Sequence, residues 1–129
     1  MAKGNIICVD DERQVLAALK KDLVSLETDY EISECETAAE AWELLEEFAN
    51  ADEQTDLIIC DHIMPGENGV QFLTRMFEDL RFRKVKKILL TGLATHQETI
   101  QAINEAHIDL YMEKPWDAEE LLNKIKKLF

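Results

Sequence analysis

The chain has 129 residues, the size of one ordinary domain, and 47% of them are hydrophobic, which is enough to bury a core of its own. Its formal net charge is −13, because 27 acidic residues outnumber 14 basic ones, and this acidity argues against binding to nucleic acid or to anionic membrane. No apolar run is long enough to span a membrane, and the first predicted strand begins so early that we expect no leader peptide and a cytoplasmic location.

Short apolar runs alternate with segments of helical periodicity along the whole chain. The predicted strands are residues 5–9, 30–34, 57–60, 87–90 and 108–112, and an amphipathic helix is predicted after each of them. Four helices should begin at a capping side chain that is followed three residues later by Glu or Gln, namely Thr37, Asn68, Thr95 and Asp117. This alternation predicts an α/β domain, a parallel sheet with helices on both faces.

Acidic side chains follow two of the predicted strands at their carboxyl ends. Asp10 and Asp11 follow the first strand, and Asp61 follows the third. Because parallel strands place their carboxyl ends along one edge of the sheet, we expect these carboxylates to converge. Three clustered carboxylates repel one another unless a hard cation binds them, so the pattern predicts a Mg2+ site. Asp10 or Asp11 alone could instead cap the helix that follows it. Asp61 could be a metal ligand that forms no covalent bond to a substrate.

Residues suited to a phosphoryl group follow the fourth and fifth strands. The Thr91 hydroxyl and the Gly92 amide can donate hydrogen bonds to a phosphoryl oxygen, and Lys114 can balance its charge. Asp61 is then the candidate nucleophile, a carboxylate that accepts a phosphoryl group as an acyl phosphate. Each of these residues alone also has an ordinary structural explanation, so the prediction depends on their combination.

In this order and strand context, the motifs resemble those of a receiver domain of a two-component response regulator, and the resemblance covers nearly the whole chain. The matching motifs are Val9-Asp10-Asp11, Asp61-His62-Ile63-Met64-Pro65-Gly66 with Gly69, Thr91-Gly92, and Lys114-Pro115, with Tyr111 at the family's aromatic switch position. The resemblance implies a doubly wound, flavodoxin-like (βα)5 fold with strand order 2-1-3-4-5. It also implies one receiver domain over residues 1–129 without an effector domain, either a stand-alone regulator or a domain excised from a longer protein.

The resemblance assigns the acidic residues their roles. Asp61 is the phosphoacceptor, which takes its phosphoryl group from a histidine of a sensor kinase or of a phosphotransfer protein. Mg2+, for which Mn2+ can substitute, is bound by Asp11, Asp61 and the backbone carbonyl of Ile63, while Asp10 acts through water. The chain is thereby expected to be a phosphoprotein of a phosphorelay.

The resemblance also implies how the signal is passed on. Thr91, Gly92 and Lys114 contact the phosphoryl group, and the Lys114–Pro115 peptide bond is expected to be cis. Thr91 then moves toward the phosphate and Tyr111 turns inward, which reshapes the face formed by the fourth helix, the fifth strand and the fifth helix. That face would control a downstream partner or an attached output domain, and it can also form a homodimer. The implied protein is a signalling module that catalyses its own phosphorylation and dephosphorylation and turns over no metabolite.

Two other classes of protein fit part of this pattern. A phosphatase of the haloacid dehalogenase type also combines a nucleophilic Asp with Mg2+, Thr and Lys. Such enzymes carry a second acid two residues after the nucleophile, where this chain has Ile63, and steady phosphomonoesterase turnover would favour them. A flavodoxin-like cofactor carrier needs a phosphate-cradling loop after the first strand, where this chain has Asp10 and Asp11.

Several other conspicuous residues are expected to be structural. His62 should be exposed and noncatalytic, because its side chain should point away from the Asp61 side of the strand end. Cys8, Cys35 and Cys60 lie in or beside predicted strands, which predicts buried free thiols. Trp116 should anchor the last helix.

Overall fold

The computed structural model describes residues 3–92, 97, 100 and 104–129. Its five strands are β1 (Gly4–Val9), β2 (Tyr30–Cys35), β3 (Thr55–Asp61), β4 (Lys86–Thr91) and β5 (Leu110–Glu113). Its helices are α1 (Arg13–Asp22), α2 (Ala38–Asn50), α3 (Gly69–Glu78) and a last helix, Ala118–Leu128, with a short 3-10 helix at Val24–Thr28. All five strands lie where the apolar runs predict them. The predicted fourth helix falls mostly outside the described residues, of which residues 97, 100 and 104–106 are helical.

The five strands form one parallel sheet in the order β2-β1-β3-β4-β5, which confirms the topology that the resemblance implies. The order places β1 and β3 side by side in the centre, and their apolar segments, residues 6–9 and 57–60, suit strands that are covered on both faces. Val9 lies opposite Cys60 in the register of this pair, so the residues that follow the two strands emerge at the same level of one edge. The register therefore brings the acidic residues of both loops together.

Alternate strand residues supply two hydrophobic cores, one on each face of the sheet. Ile7 and Ile58 belong to the core beneath α2 and α3, whereas Ile6 and Leu57 belong to the core beneath α1 and the last helix. The three cysteines are buried and free, as predicted, and burial raises the pKa of Cys8 to about 12, so this thiol stays protonated at neutral pH. Within the described part of the chain, the helices are too short or too polar to cross a membrane.

The predicted helix starts have three different outcomes. Thr37 accepts a hydrogen bond from the Glu40 amide at 3.1 Å, and Asn68 forms a reciprocal capping box with Gln71, so both predictions are confirmed. The helix does begin at Asp117, but the predicted capping by its side chain is wrong, because the carboxylate makes no capping hydrogen bond. The Asp117 side chain is exposed, so water can solvate it instead. Thr95 lies outside the described residues.

Trp116 fixes the end of the sheet against α1. Its indole Nε1 donates a hydrogen bond of 2.9 Å to Oδ2 of Asp22, the last residue of α1, and its ring packs on the core beneath α1 and the last helix. The anchoring role predicted for Trp116 is therefore confirmed, and the segment that follows β5 is held in place on this side.

Candidate functional site

Three carboxylates meet at the carboxyl edge of the two central strands. Asp10, Asp11 and Asp61 each offer a carboxylate oxygen, and these oxygens all lie within 4.8 Å of one another. The Asp10 amide donates to the Cys35 carbonyl at 3.0 Å, which extends the β1–β2 ladder by one residue, and Asp61 is the last residue of β3. Asp10 is buried, with 1% exposure, Asp61 is nearly so, with 6%, and Asp11 is exposed. The cluster is therefore held by two strand ends and is open to solvent on the Asp11 side.

A lysine that directly follows β5 pairs with two of these acids. Lys114 Nζ lies 2.8 Å from Oδ2 of Asp10 and 2.8 Å from Oδ1 of Asp61. The Lys114 backbone is placed by its amide, which donates to the Thr91 carbonyl at 2.9 Å, and the peptide bond to Pro115 is cis. One ammonium group is thus shared by two of the three carboxylates, which leaves the cluster with net negative charge.

The loop after β3 approaches the backbone of Asp61 so closely that only glycine fits at its end. A Cβ atom added to Gly69 would lie 2.1 Å from the Asp61 carbonyl oxygen and 3.1 Å from the Cα of His62. The Gly69 amide donates to the His62 carbonyl at 2.8 Å, which closes the loop. Gly66 adopts a φ of +79°, in the left-handed region that glycine adopts without steric cost. Two glycines therefore allow residues 62–68 to turn tightly beside Asp61.

His62 is buried, with 7% exposure, so the expectation that it is exposed is wrong. Its amide donates to the Leu90 carbonyl at 3.0 Å, which continues the strand pairing past Asp61, and the loop then folds back over it through Gly69. Nδ1 of His62 is buried and has no hydrogen-bond partner among the described residues. The burial of His62 arises from the closure of the loop, which the residues at the strand end do not predict.

The other residues that the resemblance selects lie in or after β3, β4 and β5. Thr91 is the last residue of β4 and is buried, with 1% exposure, and Gly92 beside it is exposed. Ile63 is 65% exposed in the loop after Asp61. Tyr111 lies in β5, opposite Leu89, and is half-buried against the core beneath α2 and α3. Thr91, Gly92 and Ile63 therefore lie at the carboxyl ends of β3 and β4, whereas Tyr111 lies near the start of β5.

One contact next to this site has no counterpart among the predictions from the sequence. Arg75, in α3, binds Glu67, in the loop after Asp61, through two hydrogen bonds of 3.0 and 2.7 Å. The two residues are eight positions apart, which matches no helical spacing, and one of them belongs to an irregular loop. Such a pair becomes visible only once the loop is folded.

Comparisons with known proteins agree with this geometry. The family model for the response regulator receiver domain matches residues 6–126. The chain belongs to this family. The receiver domain is 31% identical over 121 residues to chemotaxis protein CheY1 of Helicobacter pylori, across 94% of this chain and 93% of CheY1. It is also similar to the signal receiver domain of an HD domain-containing protein from Pseudomonas fluorescens, with a TM-score of 0.84 at 30% identity, covering 98% of this chain and 94% of that chain.

A larger relative shows that receiver domains of this kind also occur within longer proteins. The chain is 33% identical over 125 residues to the hydrogenase transcriptional regulatory protein HoxA of Bradyrhizobium diazoefficiens. The match covers 97% of this chain but 24% of HoxA, so the chain spans about a quarter of that relative's length. Receiver domains are signalling modules whose general function is phosphorylation-driven switching, and this favours a signalling role over the phosphatase and cofactor-carrier alternatives.

Ionisation of the receiver domain's acidic cluster is set by burial and by Lys114. Burial raises the pKa of Asp61, the hydrogen bond from Lys114 lowers it, and the charge of Asp10 raises it again, so the net shift is upward. Burial alone would lower the pKa of Lys114, but its hydrogen bonds to Asp10 and Asp61 outweigh that effect and raise it. Lys114 is therefore positively charged at neutral pH, whereas ionised Asp61 is less stable in the fold than in water.

We expect Asp61→Asn to raise the midpoint of thermal unfolding at pH 7.5 in a chelating buffer, by about 3 °C. Because the folded-state pKa of Asp61 lies above its unfolded value, the folded state binds more protons between the two values, and stability falls as pH rises through that window. The difference between the variant and the wild type should therefore shrink as pH is lowered toward 4. Thermal unfolding at both pH values measures this, and a variant less stable than wild type at pH 7.5 would contradict it.

The donor set of the cluster fits a divalent cation. Mg2+ binds carboxylate and water oxygens and usually keeps several waters, and the cluster offers three carboxylates with one side open to solvent. A cation would also relieve the repulsion that Lys114 only partly offsets. Asp10, Asp11 and Asp61 are the residues that could hold it.

Proposed function

We propose that this receiver domain is a phosphorylation-controlled switch in which Asp61 accepts a phosphoryl group from a histidine of a sensor kinase or of a phosphotransfer protein. The observation that carries the proposal is the pair of 2.8 Å contacts from Lys114 Nζ to Asp61 and Asp10, inside a cluster of three carboxylates. A nucleophilic carboxylate, a cation beside it and oxygen ligands for a metal are the parts that phosphoryl transfer needs.

In the proposed transfer, a carboxylate oxygen of Asp61 forms a new bond to phosphorus. The bond between phosphorus and the donor nitrogen breaks, and its electron pair leaves with the imidazole, which takes up a proton. Lys114 stays charged and provides the positive group beside the transferred oxygens, and Thr91 and the Gly92 amide donate hydrogen bonds to them. No proton has to be removed from Asp61, because the ionised carboxylate is the nucleophile.

The proposed metal is Mg2+, with Mn2+ as a substitute. Asp10, Asp11, Asp61 and the backbone carbonyl of Ile63 would hold it, and Asp10 would act through water. When bound, the ion neutralises negative charge on the phosphoryl oxygens and on the carboxylates. The chain's own contribution is to hold these oxygens at adjacent strand ends, so that no large rearrangement is needed for the ion to bind.

The proposed output surface is the face around β5. Thr91 ends β4 and Tyr111 lies in β5, so a shift of one toward the phosphoryl group and an inward turn of the other would act on neighbouring strands. A cleft of about 400 Å3 lies beside β5 and the last helix and is lined by Tyr111, Trp116 and Lys124, among others. Changes in this cleft, together with changes in the expected fourth helix, would regulate a downstream partner, an attached output domain or a homodimer.

We further propose that residues 1–129 form one receiver domain that works in the cytoplasm. We also propose that an output domain, a sensor kinase and a regulated process act together with this domain, since the chain spans only a part of relatives such as HoxA. The net charge of −13 supports signalling through protein contacts, because this surface repels nucleic acid and anionic membrane.

The central test is incubation with acetyl phosphate or phosphoramidate, with Mg2+ or with a chelator, followed by intact mass measurement. Wild-type protein should gain one phosphate only when Mg2+ is present, and Asp61→Asn should gain none. Asp52→Asn is the matched control, because Asp52 is exposed and has a φ of 60°, a conformation that asparagine also tolerates. Phosphate that still attaches to Asp61→Asn, or a gain that does not depend on Mg2+, would contradict the proposal.

A further inference from the structure

The loop that follows Asp61 is held by few apolar contacts. Ile63 is 65% exposed, Pro65 and Gly66 are exposed as well, and Met64 alone among residues 62–66 adds an apolar side chain to the core, with 6% exposure. A loop with so little buried apolar surface samples other conformations unless polar contacts hold it. The contacts of its second half therefore decide how firmly the backbone next to Asp61 is placed.

The strongest polar contact of this loop is the ion pair between Glu67 and Arg75. Nε of Arg75 lies 3.0 Å from Oε2 of Glu67, and Nη2 lies 2.7 Å from Oε1, so the carboxylate is bound by both arms of the guanidinium fork. The Glu67 side chain is 29% exposed and the Arg75 side chain is 40% exposed. Paired hydrogen bonds of this kind fix orientation as well as distance, which a single contact to a lysine cannot do.

The guanidinium group of Arg75 is also held by an aromatic ring that stacks against its plane. Its Cζ lies 4.0 Å from the centre of the Trp42 ring, in α2, and this ring makes edge contacts with Phe72 at 6.3 Å and Phe82 at 5.3 Å. A guanidinium stacked on an indole has little freedom to rotate. Arg75 thus lies between a buried aromatic cluster and the loop, and it ties Glu67 to the helical layer.

We propose that Arg75 is a positioning residue for phosphoryl transfer, which acts through Glu67 to hold the loop after Asp61 in its metal-binding conformation. This inference rests on the proposed function, because it concerns the backbone carbonyl of Ile63 as a Mg2+ ligand in the same loop. In the described part of the chain, Arg75 makes no hydrogen bond or ion pair with Asp10, Asp11 or Asp61. Loss of its contact should therefore weaken Mg2+ binding and leave the transfer step largely intact once Mg2+ is saturating.

The test replaces Arg75 by methionine, which keeps an apolar stem against Trp42 and removes the fork. We expect the Mg2+ concentration for half-maximal phosphorylation by acetyl phosphate to rise about tenfold, the lower end of the effect of residues that orient metal ligands indirectly. The rate at saturating Mg2+ should stay within about twofold of wild type, because Arg75 is not expected to contact the transferred group. Calorimetric titration with Mg2+ should show the same loss of affinity without any phosphorylation.

Arg81→Met is the matched control. Arg81 binds Asp79 at 2.9 Å and Glu46 at 3.3 Å, and its Cζ lies 4.7 Å from the Phe82 ring, so it makes the same kinds of contact in the turn that precedes β4. Thermal unfolding of both variants reports any general loss of stability. Mg2+ affinity should be unchanged in Arg81→Met, and an equal loss in both variants would overturn the inference.

The reversed pair, Glu67→Arg with Arg75→Glu, should recover most of the Mg2+ affinity that Arg75→Met loses. Failure to recover it would assign the effect to the Trp42 contact and overturn the role of Glu67. An unchanged Mg2+ affinity in Arg75→Met would also overturn the inference, whether or not the protein is phosphorylated. If neither wild type nor any variant is phosphorylated while Arg75→Met still binds Mg2+ more weakly than wild type, the proposed function fails and only the role of Arg75 in placing the metal-binding loop stands.

Discussion

Lys114→Met should reduce the rate of phosphorylation by acetyl phosphate by about a hundredfold or more, the usual effect of removing a group that stabilises charge in the transition state. Nζ of Lys114 lies 2.8 Å from Oδ1 of Asp61 and brings a positive charge to this carboxylate. Methionine has a similar length and carries no charge. Mg2+ binding should not weaken, since the ammonium competes with the ion for the carboxylates of Asp10 and Asp61. Radiolabelled or mass-resolved phosphorylation and calorimetric Mg2+ titration measure the two effects separately.

Slower phosphorylation without a loss of Mg2+ affinity separates a direct role of Lys114 from damage to the fold. Lys124→Met is the control, because Lys124 pairs with an exposed acid of its own helix, Glu120 at 3.0 Å. This variant should be phosphorylated like wild type. Removal of Lys114 leaves two buried carboxylates without their cation, so stability without Mg2+ should fall. Normal phosphorylation of a folded Lys114→Met protein would exclude Lys114 from the transfer.

Gly69→Ala should lower the free energy of unfolding by about 3 kcal/mol, at the upper end of overpacking effects. The added Cβ would lie 2.1 Å from the Asp61 carbonyl oxygen and 2.9 Å from the Asp61 carbonyl carbon. Both are backbone atoms of β3, so neither can rotate away, and the loop or the start of α3 must move. Denaturation with urea measures the loss, and phosphorylation should also slow because the displaced backbone belongs to Asp61.

Gly92→Ala provides the comparison for stability, because among the described residues, its chain neighbours apart, no heavy atom lies within 4 Å of the Cβ that it would gain. Its free energy of unfolding should stay within about 0.5 kcal/mol of wild type. Equal stability of Gly69→Ala and Gly92→Ala would show that the close approach of the loop to β3 does not occur in solution.

The strands and the acidic cluster could be predicted because both depend on short-range patterns. Apolar runs mark β1 and β3, and once strands are parallel their carboxyl ends must share one edge, which brings Asp10 and Asp61 together. Strand order is different, since no residue pattern within a strand states which strand lies beside it. That part of the fold came from the family resemblance.

The features that escaped prediction all depend on how a loop folds back. His62 is buried because residues 62–69 close over it, and the closure depends on the hydrogen bond from Gly69. Arg75 meets Glu67 only after that closure, and Trp42 joins them from another helix. Side-chain contacts across an irregular loop carry no periodic signal, so composition and spacing could not have indicated them.

The bond between Lys114 and Asp10 joins residues that are 104 positions apart in the chain. The first and last strands must both be in place before these groups meet, so a partly folded chain or one still emerging from the ribosome contains no complete pocket. Phosphate incorporation by the purified protein therefore also reports the fraction of molecules that have reached the native state. If Asp61 is the phosphoacceptor, as proposed, a phosphoryl donor would modify folded domains and would leave partly folded chains unphosphorylated.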